Sequence, residues 1–378
     1  MDFNLSQEQQ QFSDALRRWI EKDYTFDCRK KIILSDQGVS DAAWSALIAL
    51  GVTALPIPEA QSGLNGNAVD MMVVMQELGR GLVVEPYFAT VLGAEFLKLF
   101  GGQDALLEQV AEGKLTLACA LGERQSRYDL FDIATSAKMQ GDTYVINGTK
   151  TVVIHGAQAG TLIVSARTSG GQRDKEGISL FVIPAHAIGV ARCDYRTNDG
   201  QRAADIRFDN VQVPSSAILG KIGAGWELMD AVLDYGVTLL CAEAVGAMEA
   251  LSTATLEYVK TRKQFGVPIG KFQALQHRMA EMYIHLEQAR SMAMLAAVKV
   301  ASPDHDERRR TVSAAKVRVG QAMKYVGQQA IQLHGGMGVT NELPAAHHFK
   351  RLTMIELSLG DIDHHLARFV AQPDFKNG

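Results

Sequence analysis

The run Arg262-Lys263-Gln264-Phe265-Gly266-Val267-Pro268-Ile269, followed by Phe272 and Gln273, decides how the rest of the chain is read. It lies between two long stretches of helical periodicity, so it is the turn where one helix ends and the next begins. Gly-x-Pro turns are common on protein surfaces, and an ordinary interhelical turn is one reading. The other is chemical. An arginine at a helix terminus offers a guanidinium to a pyrophosphate, Phe265 offers a face to a flat ring, and a returning glutamine offers an amide to polar edges. A dinucleotide can use all three.

Downstream, Gln332-Leu333-His334-Gly335-Gly336-Met337-Gly338 ends another helical stretch at two glycines. Such glycines are most often C-caps. They also leave room for a ligand to approach backbone N–H groups that can gather around an anion.

Outward from these segments, three long helices are expected at about Gly225 to Arg262, Phe272 to Val300 and Asp306 to Leu333, with a fourth from Glu342 to Ala371. Ala, Met and Leu on their inward faces suit a four-helix bundle. Before the bundle the texture is different. Leu115 to Leu121, Tyr144 to Ile146, Thr151 to Ile154, Leu162 to Ala166, Ile178 to Ile183 and Ala204 to Phe208 read as strands of a compact barrel or sandwich. Residues 168–177 read as a solvated hairpin tip. Earlier still, Ser6 and Gln9 predict a capping box, with Phe12, Leu16, Trp19 and Ile20 at helical spacing behind it. Helical periodicity recurs over Asp41 to Leu50, Ala68 to Leu78 and Phe88 to Leu99, with Gly51, Gly79, Gly81, Gly101 and Gly102 as stops. The division expected is an N-terminal helical domain (1–112), a central β-domain (113–222) and a C-terminal helical bundle (223–378).

With 378 residues, 47% of them apolar and 21% charged, the chain has ample material for a large core. A formal charge of -4 gives no general attraction for nucleic acid or an anionic membrane. Cys28, Cys119, Cys193 and Cys241 are too scattered for a disulfide framework and suit a reducing cytosol. The start, MDFNLSQEQQ, lacks the basic and apolar pattern of an export signal. Ala42 to Pro58, the most apolar stretch noted, is broken by Ser45, Gly51 and Pro56 and reads as a buried helix and loop.

Arg-x-x-Phe-Gly-x-Pro-Ile, then Gln, then Gln-x-x-Gly-Gly at the end of a later helix is a pattern in which this chain closely resembles the acyl-CoA dehydrogenases, over essentially its whole length. The resemblance implies an α+β fold with an N-terminal helical domain, a central β-barrel domain and a C-terminal four-helix bundle. It implies FAD as cofactor, an acyl-CoA substrate and an acceptor of the electron-transfer-flavoprotein type. It further implies that Arg262, Gln264, Phe265, Gln273, Gln332, Gly335 and Gly336 hold the ADP half of FAD across a subunit interface. The family's reaction removes an α-proton with a carboxylate while a hydride leaves the β-carbon.

Against that pattern the chain departs at the reactive end. The family's base before Gly-Thr falls at Leu359 in Ser358-Leu359-Gly360-Asp361, and the alternative position on the first bundle helix falls at Gly236. The family's Thr-Glu-Pro-x-x-Gly-Ser-Asp reads Gly122-Glu123-Arg124-Gln125-Ser126-Arg127-Tyr128-Asp129. Its Trp-Ile-Thr-Asn reads Val152-Val153-Ile154-His155, after a retained Gly148 and Lys150.

The nucleotide grip is kept and the ring pocket and base are lost, so the expectation is a heteromer, such as a heterotetramer, in which a paralogous partner supplies both. The ERQSRYD run and KRLTMIELSLGDIDHH resemble the small subunit of the pimeloyl-CoA dehydrogenase type, which suggests a dicarboxylyl-CoA or bulky acyl-CoA. Two alternatives stand beside this: a self-sufficient homo-oligomer using Asp234, Asp361 or another carboxylate as a displaced base, and a flavin-free structural subunit. Arg124 and Arg127 are candidates for a CoA phosphate or a distal substrate carboxylate, or for a surface contact. Glu243 reads as a buried interhelical carboxylate. His347-His348 and Asp361, Asp363, His364 and His365 are not expected to bind metal, because adjacent helical side chains diverge by about 100°.

Overall fold

The computed structural model describes residues 5–372. By its internal contacts the chain forms two compact units. One comprises the chain up to Lys30, Asn67–Val83 and everything from Asp234 onward; the other comprises Lys31–Gly66 and Val84–Leu233.

The first unit is helical. It opens with α1 (Gln7–Lys22), started by the capping box that Ser6 and Gln9 predict, with both reciprocal bonds present. Leu16 and Ile20 are buried. The beginning of α2 (Phe26–Leu34) also belongs here. A second capping box, Asn67 with Asp70, starts α4 (Ala68–Gly81), which follows α3 (Asp41–Ala49) in the chain. Gly81 is the last residue of α4, but Gly79 lies inside the helix rather than ending it. A Cβ on Gly79 would come 2.1 Å from the Glu243 carbonyl oxygen, and one on Gly246 would come 1.8 Å from that of Gln76. These glycines let two helices approach backbone to backbone, which is why the punctuation reading fails at Gly79.

The bundle follows, with α7 (Trp226–Thr261), α8 (Gln273–Lys299) and α9 (His305–His334) close to the bounds expected. α7 is long and apolar enough to cross a membrane, yet its most apolar window is 89% buried inside the fold, as befits a core helix. It also surpasses Ala42 to Pro58 as the apolar stretch that matters. The fourth helix is divided into α10 (Pro344–Leu357) and α11 (Ile362–Val370). Leu359 at φ 55° and Gly360 at φ 106° break it. The buried Lys316 ammonium donates to the carbonyls of Ile355 (2.6 Å) and Ser358 (2.8 Å), so the open end of α10 is closed by a side chain.

The second unit contains α3, α5 (Tyr87–Phe100), α6 (Asp104–Ala111) and a sheet. Its strands are β1 (Leu117–Ala120), β2 (Ser136–Gln140), β3 (Thr143–Ile154), β4 (Thr161–Arg167), β5 (Ile178–Pro184), β6 (Val190–Arg196), β7 (Arg202–Pro214) and β8 (Ile218–Leu219). They run in the order β6-β7-β3-β2-β4-β5-β8, with β1 beside β4. Tyr144 to Ile146 and Thr151 to Ile154, read as two strands, are one: β3 bulges against β7 between Ile146 and Gly148 and again between Lys150 and Val153. Residues 168–177 form the largely exposed tip of the β4–β5 hairpin, as read, and the tip is held from its base. Arg167 donates to the carbonyls of Phe131, Gln172, Asp174 and Glu176, which ties this loop to the one ending at Phe131.

Three of the buried histidines of the helical unit have their imidazoles shifted: His347 (7% exposed), His348 (5%) and His365 (2%). Burial is the main cause that lowers all three, taking His348 to about 3, with Arg29, His347 and Arg80 adding to it there. They fold neutral, whereas an unfolded histidine titrates near 6.5. The stability they give is therefore complete above that pH and is lost as the pH falls below it, for His348 down to about 3. The expected loss is at most about 1.4 kcal/mol per pH unit for each histidine. The denaturant midpoint should hold between pH 8 and 7 and fall steeply by pH 5; an unchanged midpoint at pH 5 would refute the assignment.

Candidate functional site

The Arg262 turn and the Gly335 turn both lie in the helical unit, at the ends of α7 and α9. α7 ends at Thr261, and a small hairpin of β9 (Lys263–Gln264) and β10 (Val267–Pro268) carries the chain into α8. Phe265 and Gly266 form its tip, with φ of 54° and 77°. Arg262 donates its N–H to Tyr258 and accepts from Ile269, so the hairpin is anchored at its base. One turn back along α7, the Tyr258 ring stacks on His334 at 4.4 Å, and its hydroxyl donates to the His334 carbonyl at 3.3 Å. His334 closes α9, and Gly335 follows at φ 58°. Tyr258 and His334 thus join the ends of the two helices that carry the two motifs.

All seven residues expected at the nucleotide, Arg262, Gln264, Phe265, Gln273, Gln332, Gly335 and Gly336, are exposed. Phe265 is 91% exposed and touches Phe272 edge to face at 6.1 Å. Arg262 makes no ion pair among the described residues, and a Cβ on Gly335 or Gly336 would meet nothing within 4 Å. A bare guanidinium, a bare ring and an open glycine turn fit the ADP end of a dinucleotide. Beside the hairpin a cleft of about 430 Å³ is lined by Leu256, Val259, Pro268, Leu275 and Met279, with Lys260 and Lys271 at it too.

The flavin-ring locus lies on the β-unit and does not fit in the same way. Glu123 and Lys150, the retained family residues, are consumed by each other at 2.7 Å. Lys150 also donates to Ser165 and to the Leu121 carbonyl, and Glu123 accepts from the N–H groups of Ala134 and Thr135. Burial works to raise the Glu123 carboxyl, but the Lys150 charge and hydrogen bonds from Lys150, Gln125 and Thr135 outweigh it and hold it at about 2. This pair frames the 122–132 loop. Gly122 presents no side chain to a ligand, the Val152 side chain is 53% exposed at φ 53°, and the Arg127 guanidinium lies 5.1 Å from the Tyr128 ring centre. Positive φ at a valine is a strained backbone, held here by the Val152 N–H donating to Asp205 at 3.0 Å. At the two positions where the resemblance implies flavin-bonding hydroxyls, the chain has Gly122 and Tyr128.

Both candidate displaced bases have partners within the fold. Asp234, 1% exposed, accepts from Arg308 at 2.8 Å and from Arg368 at 2.6 Å. Asp361 caps α11 by accepting from the His364 N–H at 2.9 Å. The work of Asp234 was hidden from the sequence because Arg308 and Arg368 are remote in the chain, whereas the Asp361 cap is a contact three residues along. Glu243 forms a bidentate pair with Arg351, at 2.5 and 2.7 Å, as suits an interhelical carboxylate. Arg124 is exposed and makes no ion pair among the described residues.

Comparison with known proteins agrees with the motif reading. The family profiles "Acyl-CoA dehydrogenase, N-terminal domain", "middle domain" and "C-terminal domain" match residues 6–113, 118–211 and 223–371. The probable acyl-CoA dehydrogenase fadE25 of Mycobacterium tuberculosis is 30% identical over 353 residues, covering 90% of this chain and 89% of its own. Among solved structures, the ChsE4-ChsE5 complex from Mycobacterium tuberculosis matches at a TM-score of 0.88 and 25% identity, over 97% of each chain. The FAD complex of PigA matches at 0.90 and 26%, over the full length of both.

Proposed function

The chain belongs to the acyl-CoA dehydrogenase family, and from that premise we propose that it is one subunit of an FAD-dependent enzyme that introduces a 2,3-double bond into an acyl-CoA, lending the ADP half of the flavin site to a paralogous subunit. FAD is the family's cofactor; when bound it takes the hydride that leaves the β-carbon. The observation that carries the proposal is the division within this chain. Its seven nucleotide-facing residues are exposed and open, while Gly236 and Leu359 stand at the two base positions and the ring locus departs from the family pattern at Gly122 and Tyr128.

Arg262 would pair with the pyrophosphate, Phe265 would cover a flat face, and the N–H groups around Gly335 and Gly336 would take phosphate oxygens. No side chain at either base position of this chain can accept the α-proton, so the acceptor is assigned to the partner. Exposed apolar side chains at Phe265, Phe272, Tyr283 and Ile284 favour an assembly in which this surface is covered. That ChsE4-ChsE5 is a complex favours a paired arrangement here too. The unpaired Arg124 favours an acyl-CoA with an anionic far end, such as pimeloyl-CoA or another dicarboxylyl-CoA.

The test is to produce the chain alone and together with a paralogue that carries Glu or Asp at the base position. Flavin content and dehydrogenation with an artificial acceptor are then measured. The chain alone should show no turnover, and the pair should hold one FAD for each two chains. Full turnover by the chain alone would sink the proposal.

A further inference from the structure

The glycine segment after α9 has little burial of its own to hold its shape. Gly335–Val339 is a short 3-10 turn in which only Gly338 is buried, and Val339 is 74% exposed. Such a segment depends on how its two ends are tied. The entry is tied by Tyr258 and His334, as described above. The exit is tied at Asn341, whose carbonyl lies 3.2 Å from His347 Nε2 and whose side-chain oxygen accepts from Lys350 at 2.8 Å.

His347 is in turn fixed from the other side. The Arg29 Nη1 lies 3.0 Å from His347 Nδ1, and the Phe26 ring meets the imidazole edge to face at 4.9 Å. Arg29 itself is 1% exposed and donates through Nε to the Leu82 carbonyl at 2.7 Å. A guanidinium can only donate, so Nδ1 must be the acceptor, and the one proton of a neutral imidazole must be on Nε2. That proton points at Asn341. Burial foremost, with Arg29, Lys350 and Lys30 nearby, keeps this imidazole below its ordinary pKa in spite of the Asn341 bond.

We propose that Arg29, His347 and the Asn341 carbonyl form a hydrogen-bond relay that fixes the 335–341 segment in the shape that accepts the nucleotide, which makes His347 a positioning residue. The relay joins α2 to α10 and passes their rigidity to the glycine turn. It rests on the reading of that turn as part of the ADP site. It is specific in chemistry, since the residue at 347 must accept on one side and donate on the other. Gln can do both; Phe preserves the volume and the contact with Phe26 but does neither.

The experiment compares wild type, His347→Phe and His347→Gln in the assembled protein by amide hydrogen exchange over 335–341 and by FAD dissociation. His347→Phe should speed exchange and weaken FAD binding, each about tenfold, the usual effect of a lost buried hydrogen bond, and His347→Gln should restore both. Wild-type exchange in His347→Phe, or a glutamine variant as impaired as the phenylalanine one, would overturn the relay. Nitrogen-15 spectra of the wild-type imidazole give a check that needs no variant: a proton on Nδ1 instead of Nε2 also overturns it. If Arg262→Ala leaves FAD binding unchanged, the ADP-site reading has failed, and the exchange result still judges the relay by itself.

Discussion

Arg262→Ala is expected to weaken FAD binding by the assembled enzyme by about ten- to a hundredfold, while the thermal midpoint of the chain stays where it was. The size follows from a charge-assisted bond to a phosphate oxygen, worth roughly 1.5–3 kcal/mol. The separation of binding from stability follows from the structure. The Arg262 side chain is exposed and makes no ion pair among the described residues, so the fold has no contact of that guanidinium to lose. Its backbone bonds to Tyr258 and Ile269 remain in the alanine variant. Titrating FAD into the reconstituted apoprotein, followed by flavin fluorescence, measures the effect. A variant that binds FAD as wild type does, within an assembly that still contains FAD, would favour the reading of this chain as a structural subunit that makes no cofactor contact.

How far the sequence reached depended on whether the signal was local. Ser6 with Gln9 is a contact between residues three apart, and the capping box is where the pattern put it. The Arg262 turn was legible for the same reason. The long bundle helices were legible because their burial repeats with the helical period. β2 and β6 escaped because they carry so little inward apolar side chain: Ala137 is the one buried residue of Ser136–Gln140, and β6 has none. Their places are set by pairing to β3 and β7, which is not written in their own residues. Gly79 misled because a helix interior and a helix end can both require glycine. What decided between them was the Glu243 carbonyl, 164 positions away in the chain and 2.1 Å from a built Cβ.

The candidate site shows the same limit. The residues that would touch a ligand stand in motifs, whereas the contacts that hold the motifs in place do not. Tyr258 and Arg29 carry no signal of their own, and the roles of His334 and His347 emerge only when the fold brings them against those partners. The erosion of the ring locus could be read by position, but the reason Glu123 and Lys150 persist could not. They persist as a buried pair that shapes the 122–132 loop, and removing either would leave the other charge without its partner.

The same reasoning sets the expectation for Asp234, which stands two positions from a place where the family can carry its base. Asp234→Asn should destabilise the protein by about 3–5 kcal/mol, the usual cost of removing one side of a buried ion pair. Asparagine keeps the shape but turns one of the two acceptor oxygens into a donor, which would then face a guanidinium that also donates. Arg308, with 6% of its side chain exposed, and Arg368, with 18%, would each lose the carboxylate that joins α7 to α9 and α11. Arg368 would keep its bond to Ser313 at 3.2 Å. A catalytic base behaves in the opposite way: its amide variant loses turnover and keeps its stability. Denaturant unfolding of the variant beside turnover of the assembled enzyme therefore separates the two roles. Unfolding unchanged with turnover abolished would make Asp234 the missing proton acceptor and return this chain to the self-sufficient enzymes of its family.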